Sequence, residues 1–265
     1  MLISPPFGGG RAPVLAKNTV ASSQPLATQA GIEALQNGGN AVDAALATAI
    51  TLTVVEPTMN GLGGDGFAIL WDGKQIHGLN ASGRAPAAWT PEYFDGKTAM
   101  DLIGWNTVTV PGMVSGWVEL SKKFGKLPFA QLFKRAIDYA ENGFPVSPVI
   151  ARQWREAIPI LKNQPGFAES FLIDGKAPQA GQIWRFPAQA KTLQEIAATQ
   201  GESFYTGALA QSMVDFAQSS GGCFTMRDFA DNKPDWVEPL AFDYGDYTLL
   251  EIPPNGSGIA AQMAL

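Results

Sequence analysis

The sequence predicts an α/β fold, and three observations lead to it. The segment Ala41 to Val55 is apolar on nearly every side, which is typical of a helix covered all round. Residues 67–79 contain two short strand-like runs separated by Asp72-Gly73-Lys74, the pattern of a β-hairpin. Between Phe129 and Ala140, apolar residues recur at i, i+3, i+4, i+7, i+8 and i+11, which predicts an amphipathic helix.

The first third of the chain is predicted to run from strand to helix to helix to hairpin. An opening strand is expected over residues 14–21, followed by a helix over 24–36. That helix ends at Asn37-Gly38-Gly39, where glycine can adopt the left-handed conformation of a C-terminal cap. Asn40 is predicted to cap the next helix, with Asp43 near the positive end of the helix dipole.

The remainder is predicted to be mostly helical. Pro111-Gly112 opens a helix that stops at Gly125, and Pro128 opens the amphipathic helix that Gly143 caps. The other expected elements are helices over 148–162, 188–200 and 208–219, a strand over 247–252 and a helix over 259–265. This last helix stops after about two turns without a C-cap signal, and strands are few for an α/β protein. We therefore expect a fragment or a subunit whose sheet is completed elsewhere.

The composition indicates a globular protein and argues against nucleic acid or an anionic membrane surface as its main partner. The net charge is −6 and the pI is about 4.8, without a basic run. Charged residues make up 16% of the 265 residues, below the usual level of about 25%, and burial against another polypeptide would account for this. The start of the chain has no basic region followed by an apolar one, so we expect no signal peptide and a cytoplasmic location.

A single cysteine and a single histidine limit the chemistry of the chain. They exclude an internal disulfide and a zinc cluster, and we expect neither a metal nor an organic cofactor. A Ser-His-Asp triad would need His77, which lies in the hairpin with no nucleophile-elbow sequence nearby. Cys223 would need an adjacent base to act as a thiolate and is better interpreted as packing. Asp65, Asp72 and Asp95 are as well explained by turn formation as by paired catalysis.

The glycine-rich segment 61–66 matches the letters of the dinucleotide motif G-x-G-x-x-G. That motif requires a strand, a glycine turn and then a helix, so that the pyrophosphate meets the helix N-terminus. Here the predicted order is helix, turn, strand. We therefore interpret these glycines as allowing close backbone approach, either to a packed helix or to a substrate.

A set of short motifs, in this order and at this spacing, resembles the γ-glutamyltransferase (γ-glutamyltranspeptidase) family over about residues 20–257. The most specific is Gly38-Gly39-Asn40-Ala41-Val42-Asp43-Ala44-Ala45. The others are Thr28-Gln29-Ala30-Gly31, Gly61-Leu62-Gly63-Gly64-Asp65-Gly66-Phe67, Ala85-Pro86, Val110-Pro111-Gly112 and Asn142-Gly143-Phe144.

The resemblance implies an N-terminal nucleophile (Ntn) hydrolase with a four-layer αββα sandwich. In such enzymes a precursor cleaves itself, and a threonine freed at the new N-terminus attacks a γ-glutamyl amide with its own α-amino group as base. The resulting acyl-enzyme is resolved by water or by an acceptor amine. The matching threonine would lie beyond Leu265, on a C-terminal small subunit. Residues 1–265 are thus expected to form a single incomplete domain, the large-subunit part, without a catalytic residue. The expected substrate of the whole enzyme is a small γ-glutamyl amide of glutathione type or a related acyl amide.

One departure from the family pattern concerns the substrate. Family members specific for γ-glutamyl groups place an arginine three residues before the Ala-Pro pair, where it holds the substrate α-carboxylate. Here Ser82 occupies that place and Arg84 follows two residues later. In an extended backbone this shift keeps the same face but moves the side chain by about 6.5 Å. A bidentate carboxylate clamp does not tolerate this displacement, so either Arg84 reaches back or the acyl pocket accepts something other than a free γ-glutamyl group, and the sequence resembles the cephalosporin-acylase-like branch of the family. We predict that Arg84, with Ser82 beside it as a hydrogen-bond donor, binds a substrate carboxylate; the alternative is a surface arginine without function.

A rival from another class is a non-enzymatic small-molecule binding protein on the same scaffold without the nucleophile. The downstream reading frame would distinguish the two, because only the enzyme encodes a threonine in an autocleavable context.

Overall fold

A computed structural model describes residues 15–265 as a set of helices and short antiparallel sheets. The helices are α1 Pro25–Gln36, α2 Ala41–Val55, α3 Met113–Phe124, α4 Lys134–Asn142, α5 Pro148–Leu161, α6 Phe167–Phe171, α7 Pro187–Thr199, α8 Glu202–Tyr205, α9 Ala208–Ser219, α10 Met226–Ala230 and α11 Ile259–Ala264. The strands are β1 Gly66–Trp71, β2 Ile76–Ala81, β3 Phe144–Pro145, β4 Ile183–Trp184, β5 Asp235–Val237, β6 Leu240–Tyr244 and β7 Tyr247–Glu251. None of the helices in this part of the chain is long and apolar enough to cross a membrane.

The predicted helices and the hairpin are confirmed, with two corrections. The opening strand expected over 14–21 is wrong for residues 15–21, which have irregular structure; residue 14 lies outside the described range. Strand geometry needs a hydrogen-bonded neighbour, and no described strand pairs with this segment. The helix expected from Pro128 begins only at Lys134, because residues 129–133 form a 3₁₀ turn.

The pair α1 and α2 is fixed by caps and by one glycine. The Asn40 side chain accepts hydrogen bonds from the backbone N–H groups of Val42 and Asp43, at 3.0 and 3.1 Å. In return, Asp43 Oδ2 accepts the N–H of Asn40 at 2.8 Å, which completes a capping box. A side chain at Gly31 would collide with Thr48 on α2, so glycine there allows the two helices to pack closely.

The largest sheet among the described residues has three antiparallel strands in the order β1, β2, β5. On the face toward α3, Leu79 and Ala81 are each 2% exposed, and Gly116 lets α3 approach Ala81. On the opposite face, Phe67, Ile69 and Trp71 remain 43%, 45% and 57% exposed. The sheet is therefore covered by helices on one side, while an apolar stripe of β1 stays open on the other.

The core lies among α2, α3, α4, α5 and α7. Its largest fully buried side chains include Trp154, Phe133 and Phe144. A second cluster joins Val110 to α9 and to Phe224 and Phe229. The expectation that residues 1–265 form one incomplete domain stays a prediction.

Asp43 is completely buried, and its carboxylate also accepts the N–H groups of Lys126 and Leu127, at 3.0 and 3.3 Å. Replacing it by alanine removes the capping box and leaves these donors without a partner. We expect Asp43→Ala to lower the free energy of unfolding of the complete protein by about 2–4 kcal/mol, measured by urea denaturation. Asp215→Ala, at an exposed position of α9, is the control and should change it by less than about 0.5 kcal/mol.

Candidate functional site

The predicted substrate-binding segment leaves the sheet where β2 ends at Ala81. Ser82 donates its backbone N–H to Asn80 Oδ1 at 3.0 Å, which turns the chain away from the strand. The Asn80 amide also donates to Asn255 Oδ1 at 3.0 Å, so the segment is tied to the loop that precedes α11. Ser82 is half-buried and Arg84 is exposed.

Gly83 separates the two predicted site residues and gives the backbone a conformation that only glycine adopts easily. Its φ is +84°, and a side chain there would overlap the carbonyl oxygen of Val110. The backbone between Ser82 and Arg84 is thus not extended, and the premise that a shift of two residues keeps the same face is wrong. A hydrogen bond also holds the two segments together, because Val110 donates its N–H to the carbonyl oxygen of Arg84 at 2.9 Å.

Asp228, at the start of α10, anchors the far end of the segment. One carboxylate oxygen accepts the backbone N–H of Ala87 at 2.8 Å, and the other accepts the N–H and the hydroxyl of Thr225 at 2.8 and 2.7 Å. Partial burial raises the pKa of Asp228, but the hydrogen bonds from Ala87 and Thr225 outweigh it, so this pKa lies below its ordinary value. The segment carrying Arg84 is therefore held at both ends.

The N-terminus of α3 completes the frame around this segment. Met113 donates its N–H to the carbonyl oxygen of Gly64 at 3.2 Å, which brings the glycine-rich turn against the helix. The hydroxyl of Tyr205 donates to the carbonyl oxygen of Pro111 at 2.7 Å and accepts the N–H of Ser115 at 2.9 Å. Burial raises the pKa of Tyr205 to about 12, although its hydrogen bonding with Ser115 lowers it in part.

A cavity of about 320 Å³ opens between the sheet, α2 and α3. Its polar lining comes from Asn60 and Asp65, and its apolar lining includes Ala68 and Met113. Ser82 and Arg84 do not line it. The structure thus brings the glycine-rich turn to the cavity, whereas Arg84 lies on the surface outside the cavity lining. The Arg84 guanidinium makes no ion pair within the described residues. The role of both residues in substrate binding stays a prediction.

The other candidate catalytic residues, His77, Asp72 and Cys223, lie in a hairpin or in packed surroundings. His77 lies in β2, with Nε2 2.9 Å from Asp72 Oδ2 and its ring packed on Phe124. Hydrogen bonds from the Gln75 backbone, the His77 side chain and the Lys74 backbone lower the pKa of Asp72, as expected of a turn former. Cys223 is a free, half-buried thiol.

Sequence reasoning missed Asn80 and Asp228 as anchors of the site. The pattern Thr225-x-x-Asp228 is a capping-box signature and predicts a helix start, which the structure confirms. It does not predict the hydrogen bond that the Ala87 N–H donates to Asp228, because the two partners are 141 positions apart in the sequence.

Comparison with known proteins identifies the family. The sequence model described as Gamma-glutamyltranspeptidase matches residues 27–265. The chain is 38% identical to the glutathione hydrolase-like YwrD proenzyme of Bacillus subtilis, over 94% of this chain and 48% of that protein. Among solved structures, it resembles a cephalosporin acylase from Bacillus halodurans at 44% identity and a TM-score of 0.87, over 96% of this chain and 50% of that one. It also resembles a γ-glutamyltranspeptidase from Pseudomonas nitroreducens at 32% identity and a TM-score of 0.85, over 92% of this chain and 73% of that one.

The chain therefore belongs to the γ-glutamyltranspeptidase family. The likeness to these structures confirms the Ntn-hydrolase fold that the motifs imply. The chain spans about half the length of the curated relatives it matches, in agreement with an N-terminal, large-subunit portion.

The anchor at Asp228 predicts a pH dependence. Because its folded pKa lies below the unfolded value of about 3.9, its contribution to stability is present above that value and is lost as the pH falls through the folded pKa. We expect the wild type to be more stable than Asp228→Asn at about pH 6 and this difference to shrink below about pH 4, as measured by urea denaturation of the complete protein. Asp246→Asn, in the exposed turn between β6 and β7, is the control. A difference that stays constant from about pH 6 to about pH 3 would contradict the prediction.

Proposed function

We propose that this chain is the N-terminal portion of a γ-glutamyltransferase-like Ntn hydrolase. The enzyme hydrolyses or transfers γ-glutamyl amides of glutathione type, or amides of related dicarboxylic acyl groups. The nucleophile is a threonine on a C-terminal small subunit outside this chain. The observation that carries the proposal is the similarity over 94% of the chain to a relative that is named a proenzyme and is about twice as long.

The open face of the sheet supports a second subunit. Phe67, Ile69 and Trp71 form an apolar stripe on a strand that pairs only with β2 among the described residues, so one edge of β1 is also free. Exposed apolar surface and unpaired strand edges are features that proteins usually cover. A sheet contributed by the small subunit would cover both, and this arrangement fits the four-layer sandwich of the family.

The chemistry follows from a threonine whose own α-amino group acts as base. The amino group takes the hydroxyl proton while the oxygen attacks the amide carbonyl, and the same proton then passes to the leaving amine. The acyl group remains on the threonine as an ester until water or an acceptor amine attacks it. The small subunit thus supplies the nucleophile, and the role proposed for residues 1–265 is to hold the acyl group in place.

Arg84 is the residue proposed to bind a carboxylate of that acyl group, with Ser82 as a hydrogen-bond donor. Its guanidinium is exposed and makes no ion pair among residues 15–265, so it is open to a ligand. The backbone beneath it is fixed by Val110 and, through Ala87, by Asp228. A fixed backbone supports the two parallel hydrogen bonds of an arginine–carboxylate pair.

Autoprocessing gives the first test of this function. The complete protein, expressed from its full reading frame, is expected to give two bands on a denaturing gel. The N-terminal sequence of the smaller fragment should begin with threonine. A single uncleaved band together with saturable binding of a small amide would instead favour the non-enzymatic binding protein.

Arg84→Ala in the complete protein tests the substrate contact. We expect KM for an acidic acyl substrate such as γ-glutamyl or glutaryl p-nitroanilide to rise by about tenfold or more, because a hydrogen bond to a charged group contributes about 1.5–3 kcal/mol. Arg84→Lys should retain part of the affinity, since the charge remains. Lys74→Ala, in the exposed turn of the hairpin, is the control for loss of one positive charge. An unchanged KM in Arg84→Ala would remove the role of Arg84 and leave the processing test unaffected.

A further inference from the structure

A groove of about 400 Å³ lies between α5 and the loop that follows α6. One wall is a face of α5 that includes Arg152, Arg155 and Ile158, and the other wall is formed by residues 175–180. This volume falls within the range of small-molecule pockets. None of the site residues described above lines it.

The groove is positively charged in a protein that is negatively charged overall. Arg152, Arg155 and Lys176 line it, and no aspartate or glutamate does, although the net charge of the chain is −6. Arg152 and Arg155 lie one helical turn apart and so project from the same face of α5. Arg152 has one loose partner, Glu156, at 3.9 Å, while Arg155 and Lys176 have no ion pair within the described residues. Three cationic residues thus line a cavity whose lining contains no acid.

The loop that carries Lys176 has a fixed shape. Ile173 and Lys176 exchange two backbone hydrogen bonds of 2.9 Å across a tight turn, whose central residues Asp174 and Gly175 have φ values of 50° and 73°. Positive φ at both central positions is the geometry of a type I′ turn. Farther along, Gly181 donates its N–H to the carbonyl oxygen of Val146 at 2.8 Å, which attaches the loop to the start of α5.

The opposite wall is fixed by aromatic packing. Trp154 of α5 is 1% exposed, and its indole N–H donates to the carbonyl oxygen of Phe171 at 2.8 Å. Its ring also lies 4.9 Å, between centroids, from that of Trp184. Helix α5 is therefore held against the core by the face that bears Trp154, while Arg152 and Arg155 are exposed. Both walls of the groove are thus preorganised, which reduces the cost of binding a ligand.

Apart from the cations and Gln179, the lining of the groove is apolar. Ala151 and Pro178 are buried there, and Ala177 and Ile158 are half-buried. We propose that this groove binds a small anion whose compact body carries at least two phosphate or carboxylate groups. The anionic groups pair with Arg155 and Lys176, and Arg152 assists at the rim, while the body contacts the apolar lining. The proposal is independent of the amide chemistry proposed above.

Calorimetric titration of the complete protein at low ionic strength tests this site. The probes are pyrophosphate and citrate, which represent the phosphate and carboxylate sources of the same chemistry. We expect saturable binding of at least one probe with one site per chain. In Arg155→Gln/Lys176→Gln, the binding constant for that probe should fall at least tenfold.

The matched control is Lys122→Gln/Lys191→Gln, which removes two positive charges at exposed positions of α3 and α7. It should change the binding constant by less than about twofold, the effect expected of general electrostatics alone. Arg155→Gln by itself serves as a second variant, and its melting temperature shows whether the fold is intact. Absence of saturable binding of both probes, or equal weakening in the control pair, would overturn the proposal.

Discussion

The close backbone contact among β2, the glycine-rich turn and the N-terminus of α3 determines the arrangement of the site. Gly83 and Gly112 allow it, because a side chain at either position would overlap the backbone of the other segment. The hydrogen bond from Met113 to Gly64 adds the third segment, and Tyr205 fixes the first turn of α3. Most of these contacts join backbone to backbone, and the remaining anchors are the side chains of Asn80, Tyr205 and Asp228, so the position of the segment that carries Arg84 is set by its surroundings and not by the Arg84 side chain.

The distribution of apolar surface explains how such a scaffold belongs to a larger protein. The helices bury one face of the three-stranded sheet against Trp117 and α2, whereas the stripe of Phe67, Ile69 and Trp71 on the other face stays open. The low proportion of charged residues, 16%, agrees with a chain that places much of its surface in contacts. Independently, the chain spans about half the length of a related proenzyme, which agrees with its being part of a larger protein.

The position of Arg84 is where this chain departs from γ-glutamyl-specific members of its family. A turn at Gly83, with a φ of +84°, separates Arg84 from Ser82, the position at which the family motif implies an arginine. The similar proteins include one named a glutathione hydrolase-like proenzyme and one named a cephalosporin acylase. The proposed role of Arg84 in binding an acyl carboxylate therefore stays a prediction that the Arg84→Ala variant tests.

Local patterns in the sequence determined most of the helices and the hairpin. The cap at Asn40, the glycine ends at Gly38 and Gly143, and the turn at Asp72 act through neighbours a few residues away, so their effect can be read from order and spacing. The family motifs likewise lie within short segments. The irregular course of residues 15–21 and the 3₁₀ turn at 129–133 were missed, because strand pairing and the exact start of a helix depend on packing.

Only the tertiary structure decided how these elements form a site. The hydrogen bond from Ala87 to Asp228 joins residues 141 positions apart, and that from Ser115 to Tyr205 joins residues 90 positions apart. The fold likewise leaves Arg84 outside the cavity that Asp65 lines. It also places Arg155 and Lys176 in the lining of one groove. Sequence spacing carries no information about such contacts, because they depend on the paths of distant segments and on the space that glycine leaves between them.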